Sequence, residues 1–302
     1  MNNQDNQKEK LNPSDNLTHS STQQVVAKEG SSISNVIQTQ NLYFNNLNID
    51  LAQKSQNALP PFEAPPLPQC FIERPNITND LKSKLINREL NSQGVLAISA
   101  IYGLGGIGKS TIAASLAYDN QIKNSFPDGI LWASLGQEPD LFSLLRGRIQ
   151  ALDEDKTFIP INIETALSHF RTLLQNKKVL LILDDVWDSL HVQPFMAGNN
   201  SCQMLITTRR NTVAAEIGAH TYEIEIMSKE ESLNLISTCI EYILDGDEKE
   251  EASKIAKLLG YLALALQMAA TRKLRGAIEW TKLRVMLEDE INRLSALEPL
   301  AT

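Results

Sequence analysis

The junction between the apolar run Val95 to Ile101 and the run Gly103-Leu-Gly-Gly-Ile-Gly-Lys-Ser-Thr111 restricts the fold more than any other part of the chain. β-Formers that give way to a glycine-rich turn and then to helix formers describe a buried strand handing over to a helix. The spacing fits G-x-x-x-x-G-K-[ST], with one further Thr behind it. Such a junction surrounds a phosphate with backbone N–H groups and directs the positive end of the helix at the same charge. Gly103, Gly105, Gly106 and Gly108 stand where a Cβ would obstruct the turn or the phosphate, with Ile107 among them in the binding loop. Lys109 is expected along the β- and γ-phosphates, the Ser110 hydroxyl on Mg²⁺, and Thr111 at the α-phosphate end.

From about residue 70 the chain alternates between helix and strand signals. A helix over 79–90 precedes the first strand, 95–101, and a helix from Lys109 to about Tyr118 follows the loop. Further strands are expected at 129–135, 178–183, 203–208 and 221–226, with helices at 141–152 and 163–174. Lys178-Val-Leu-Leu-Ile-Leu183 is apolar almost throughout, as a strand covered on both faces must be. The pattern predicts an α/β domain over 66–226, a five-stranded and mostly parallel sheet between two helical layers. After Ile226 the period changes. Ser228-Lys-Glu-Glu231 is a capping box for a helix through about 243. Helices at about 248–259, 262–273 and 276–292 complete a small helical domain over 227–302.

Residues 1–65 are rich in Asn, Gln and Ser and poor in large apolar side chains, as a disordered segment would be. The stretch 32–49 carries β-formers and polar amides without proline, and two readings stay open for it: a sticky tail, or a strand that stacks between copies. Pro60, Pro61, Pro65, Pro66 and Pro68 form a stiff linker to the folded part. A net charge of −8 argues against nucleic acid as a direct partner. Cys70, Cys202 and Cys239 are too widely spaced for a metal or disulfide framework, which suits a reducing compartment. The longest apolar stretch, Leu258 to Ala270, is too short to span a bilayer. The N-terminus lacks a basic region followed by an apolar core, so a cytoplasmic location is expected.

Two more constellations carry chemistry. Leu180-Leu-Ile-Leu-Asp-Asp185 ends a buried strand in two carboxylates, a costly placement unless cations or hydrogen bonds meet them. An apolar strand can end this way as a simple cap. Behind a phosphate loop, Asp184 is expected to orient Mg²⁺ through its water shell and Asp185 to polarise an attacking water. Arg209, in Thr207-Thr-Arg209 at the end of another strand, is placed to reach a γ-phosphate, because ligands bind at the carboxyl ends of strands in open α/β sheets.

This set resembles the NB-ARC module of the STAND class of signal-transduction ATPases, over roughly 70–295. Phe71-Ile-Glu-Arg-Pro75 is similar to the family's opening motif, Phe126-Pro-Asp-Gly-Ile-Leu-Trp-Ala-Ser134 to its second-strand motif, and Leu259-Gly-Tyr-Leu-Ala-Leu-Ala-Leu266 to its "GLPLAL" segment. The resemblance implies an AAA-like strand order 2-3-4-1-5, and it implies Arg74 on the adenine side. It also implies Ala263 and Leu264 against the nucleotide. Ala263 stands where the family carries proline; alanine keeps the helix but loses ring contact and rigidity. Family members continue into a winged helix and a repeat-rich sensor. No such segment follows in these 302 residues, which fits either a piece of a longer product or a minimal relative.

The expected function is a switch that binds ADP or ATP with Mg²⁺, self-associates on activation, signals to a protein effector and hydrolyses ATP slowly. An AAA-like ATPase in steady turnover and a scaffold holding structural ADP are the alternatives.

Overall fold

A period of two along the central strands settles which residue faces which layer. The computed structural model describes residues 59–86, 97–153, 157–197, 201–276 and 278–295, all on the Ala58–Thr302 side of a division of the chain after Asn57. The stretch 32–49 lies outside the described residues. Strands β1 (Ala97–Tyr102), β2 (Gly129–Gly136), β3 (Val179–Val186), β4 (Gln203–Thr208) and β5 (His220–Glu223) form one sheet in the order β2-β3-β4-β1-β5. Every pairing is parallel.

Leu181, Leu183, Met204 and Ile206 face one layer of helices, α4 (Leu141–Leu152), α5 (Ile163–Leu174) and α6 (Asn211–Glu216). Leu180, Ile182 and Leu205 face the other, where α1 (Pro75–Ile86), α2 (Lys109–Tyr118) and the short α3 (Asn120–Ser125) pack. This is the three-layer P-loop NTPase architecture. Phe170 and Phe195 are fully buried in the first layer, and Leu81, Leu85 and Leu116 in the second. Burial on this scale stabilises by roughly 1.5–3 kcal/mol per large apolar side chain.

Local chemistry shifts several element boundaries from the expected ones. The first helix starts at Pro75, four residues before the expected 79, because proline is pre-organised for a first helical position and needs no hydrogen-bond partner there. Asp119 turns extended after α2 and its carboxylate caps Gln121 and Ile122, so a second short helix follows at once. β5 ends at Glu223, short of the expected 226, although Ile224 still donates to the Tyr102 carbonyl.

The β2 edge of the sheet is covered. Phe62 bridges Ile130 in parallel, Ile130 donates to the Pro61 carbonyl, and Glu63 accepts from the Trp132 N–H. Arg148 lies 2.8 Å from the Glu63 carboxylate and donates to the Trp132 carbonyl. Such a strap blunts an edge that could otherwise template strand pairing.

Past Met227, helices α7 (Lys229–Ile240), α8 (Gly246–Leu258), α9 (Ala263–Gly276) and α10 (Trp280–Ser295) enclose their own core around Ile236, Ile255, Leu266 and Trp280. The expected capping box is present: the Ser228 hydroxyl accepts from the Glu231 N–H and Glu231 accepts from the Ser228 N–H. Among the described residues no helix is long and apolar enough to cross a membrane.

Candidate functional site

The turn from β1 into α2 needs glycine for distinct reasons. Gly103, Gly106 and Gly108 have φ of 153°, 76° and 106°, a region in which a side chain is strained. Gly105 is a close approach: a Cβ there would lie 3.2 Å from an Arg209 guanidinium nitrogen, and that half-exposed side chain would have to give by a few tenths of an ångström. Gly108 caps α2 in a left-handed conformation without any side-chain acceptor, so the first N–H groups of the helix have no side-chain cap and point along its positive end. Ile107 is buried and anchors the loop in the core, while Ser110 is exposed and Thr111 half-buried beside it.

Lys109 is buried, and its Nζ donates to the carbonyls of Gly103 at 2.9 Å and Leu104 at 2.8 Å. Burial and then the Arg209 charge lower its pKa, against the pull of Asp185 and Asp184. An ammonium held in this way gains from an added anion.

The end of β3 departs from the ladder. Its register with β4 shifts between Leu183 and Val186, and Asp185 takes φ 54°. Thr207, fully buried on β4, fixes both carboxylate residues: its hydroxyl donates to Asp184 at 2.6 Å and accepts the Asp185 N–H at 2.9 Å. The Asp185 carboxylate accepts from Trp187 Nε1 at 3.0 Å and faces Arg209 at 3.5 Å. The Arg209 guanidinium lies 5.1 Å from the Trp187 ring centroid. Lys109, Asp185 and Arg209 therefore share one cleft with the loop, and Asp184 lies next to it through Thr207.

The helical bundle closes the other side of this cleft, a cavity of about 240 Å³. Leu264 donates its N–H to the Gly106 carbonyl at 3.0 Å, and Ala263 and Leu264 both line the cleft. A Cβ on Gly106 would lie 3.2 Å from Leu264 Cβ. Phe71, Ile72, Met227 and Leu235 give the far end an apolar lining, suited to a flat ring.

Arg74 lines the cleft too, but its guanidinium is engaged elsewhere. It donates to Glu231 at 2.9 Å and to the carbonyls of Glu225 and Ile226. Burial opposes ionisation of Glu231, yet the Arg74 hydrogen bond, the Ser228 N–H and the Arg74 charge outweigh it, and its pKa is lowered. Arg74 thus ties the start of α1 to the hinge between β5 and the bundle. The sequence marked Glu231 only as a helix cap, and nothing in the pattern marked Trp187.

A strand, a glycine loop and a helix start, joined by two carboxylates and an arginine from neighbouring strands, define a P-loop nucleotide-binding protein. The NB-ARC domain profile matches residues 76–241, more than half of the chain, and the chain belongs to that family. The regulatory protein AfsR of Streptomyces griseus is 32% identical over 248 residues, 80% of this chain and 24% of the relative. Human apoptotic protease-activating factor 1 is 32% identical over 204 residues, 64% of this chain and 16% of that protein. This chain therefore spans about a quarter or less of the length of these relatives. Among solved structures, the Aeropyrum pernix ORC2 protein in its ADPNP-ADP complexes aligns with a TM-score of 0.49 at 16% identity, over 75% of this chain and 70% of that one.

Proposed function

We propose that the chain is an ADP/ATP-controlled switch whose phosphates lie in the 103–111 loop. The base would lie between the Phe71–Arg74 segment and the bundle, in the apolar end of the cleft. One observation carries this reading: the bundle holds the phosphate loop by its backbone, through Leu264 and the Gly106 carbonyl. A ligand that alters the loop alters the seat of the bundle.

The Ser110 hydroxyl and the Asp184 carboxylate are hard oxygen donors that suit Mg²⁺, which when bound would neutralise phosphate charge. Arg209 would distinguish ATP from ADP, leaving Trp187 and Asp185 for a third phosphate. Hydrolysis would be slow, because the Asp185 carboxylate already faces Arg209 and accepts from Trp187. Exchange of ADP for ATP would swing the bundle away from the sheet and expose a surface for self-association and for an effector. Such a change requires unequal affinity for the two forms.

The test is nucleotide binding with graded variants. Lys109→Ala should abolish binding of both nucleotides, whereas Arg209→Ala should keep ADP affinity and lose at least about tenfold in ATP affinity, about 1.4 kcal/mol. Equal loss for ADP and ATP in Arg209→Ala would overturn the sensing role. Turnover of many ATP per minute by the unmodified chain would overturn the switch in favour of a working ATPase.

A further inference from the structure

One wall of the cleft is suspended between two polar anchors. Pro68, Cys70, Phe71 and Ile72 line the apolar end, in the segment that joins the strap over β2 to α1. Among the described residues no hydrogen bond ties the backbone of residues 64–73 to another element. Leu67 packs against the sheet core and Ile72 within the bundle core, but apolar packing is non-directional. Direction comes from the two ends. At one, the Arg74 guanidinium grips Glu231 and the hinge carbonyls. At the other, the Glu63 N–H donates to the Ile130 carbonyl at 3.0 Å. The Glu63 carboxylate accepts the Trp132 N–H at 3.2 Å and lies 2.8 Å from Arg148 on α4.

The seat for this second end is built into β2. Gly129 has φ 136°, and a Cβ there would come within 2.7 Å of Pro61 Cγ, so glycine lets Pro61 down onto the strand. Phe62 meets the Tyr118 ring edge-on with centroids 5.0 Å apart, and Lys123 Nζ lies 4.9 Å from the Phe62 centroid. Pro65, Pro66 and Pro68 stand between Glu63 and the wall, and their fixed φ makes the connection stiff. A stiff connection passes a displacement on rather than absorbing it.

We propose that Glu63 is a positioning residue for the base end of the cleft: anchored on β2 and α4, it sets through the proline run where the Pro68–Ile72 wall stands. Its effect on nucleotide binding rests on the switch reading above; its hold on the wall does not. The anchor works through hydrogen bonding more than through charge. Burial keeps the Glu63 carboxyl above its ordinary value, against the Arg148 charge and the Trp132 N–H. Glu63→Gln therefore keeps an acceptor for Trp132 and removes the cost of burying a charge, whereas Glu63→Ala leaves the strap without its side-chain anchor.

The full chain and its Glu63→Ala, Glu63→Gln and Phe62→Ala forms are compared by chymotrypsin digestion with peptide mapping, and by calorimetric binding of ADP and of inorganic pyrophosphate. Glu63→Ala should speed cleavage after Phe71 at least about fivefold and weaken ADP binding about tenfold, within the usual range for coupled sites. Pyrophosphate needs only the 103–111 loop, so its affinity should change less than about twofold, well under that range. Glu63→Gln should restore both the protection of Phe71 and the affinity for ADP. Phe62→Ala loosens the strap without stranding Arg148 and should repeat the pattern of Glu63→Ala. Faster cleavage after Phe62 with Phe71 still protected in Glu63→Ala would overturn the hold on the wall. Equal losses for ADP and pyrophosphate would overturn the positioning role, because a general loosening of the fold spares neither. Unchanged ADP affinity beside faster cleavage after Phe71 would overturn the link to the base. Faster cleavage after Phe71 in a chain that binds no ADP even when unmodified would leave the anchor standing and remove the switch.

Discussion

Thr207 decides how the two carboxylates at the end of β3 are used. One hydroxyl donates to Asp184 and accepts the backbone N–H of Asp185, and it does so in a fully buried position. Asp185 sits at φ 54°, a conformation that costs a non-glycine residue of order 1–3 kcal/mol unless its surroundings hold it. The hydrogen bond from its N–H is part of what holds it. Thr207→Val keeps the shape and the β propensity but removes both bonds, and it should destabilise the chain by about 1–3 kcal/mol. Chemical denaturation measures this loss; a change below about 0.5 kcal/mol would mean that the bulge is self-supporting. The residues of this site were unequally legible in the sequence. Lys109, Ser110 and Asp184 stood in motifs whose spacing carries their chemistry. Trp187 did not, because its role depends on a bulge that turns Asp185 out of register, and a bulge leaves no period to read. Glu231 was hidden by having two uses: its backbone and carboxylate complete a helix cap, and the same carboxylate receives Arg74.

Elements with their own internal period were the easiest to place. β4 keeps its expected span, 203–208, whereas β3 runs three residues past the expected 183, through both carboxylates to Val186; α4 and α5 keep theirs because caps at Asp140 and Asn162 define their starts. The strap over β2 was not foreseen as structure. Phe62 and Glu63 lie among prolines that read as a linker, and only a neighbouring edge gives them a partner. α9 offers the sharpest test at this scale. Ala263 is its first residue, and the first position of a helix tolerates proline because its N–H has no partner within the helix. Ala263→Pro should therefore preserve the fold and raise stability by roughly 0.4–1 kcal/mol through the unfolded chain. It should also slow nucleotide release, if rigidity at this position governs retention. A drop in melting temperature would show that the backbone at Ala263 cannot take the proline angle.

At the scale of the whole molecule, a small set of polar ties joins the sheet to the bundle among the described residues. Arg74 grips Glu231 and the two hinge carbonyls, Met227 donates to the Tyr261 carbonyl, and Leu264 donates to Gly106. The first of these is sensitive to acid. The Glu231 carboxyl is held below its ordinary value, so its contribution is complete above the unfolded value of about 4.3 and is lost as pH falls through the lower folded value. Small-angle scattering should then show the bundle loosening from the sheet below about pH 4. Glu231→Gln should shift the same change to neutral pH while leaving the melting of the sheet nearly intact. If that variant scatters at neutral pH like the unmodified chain, the Arg74 tie does not hold the hinge.

The Gly106 carbonyl is held from outside its own layer, by the first turn of a helix that belongs to the bundle. An amide oxygen that gains or loses a donor changes its stretching frequency. A single ¹³C label at Gly106 would therefore turn one bond in the phosphate loop into an infrared reporter of where the whole bundle sits, readable in solution without a fluorophore or a cross-link.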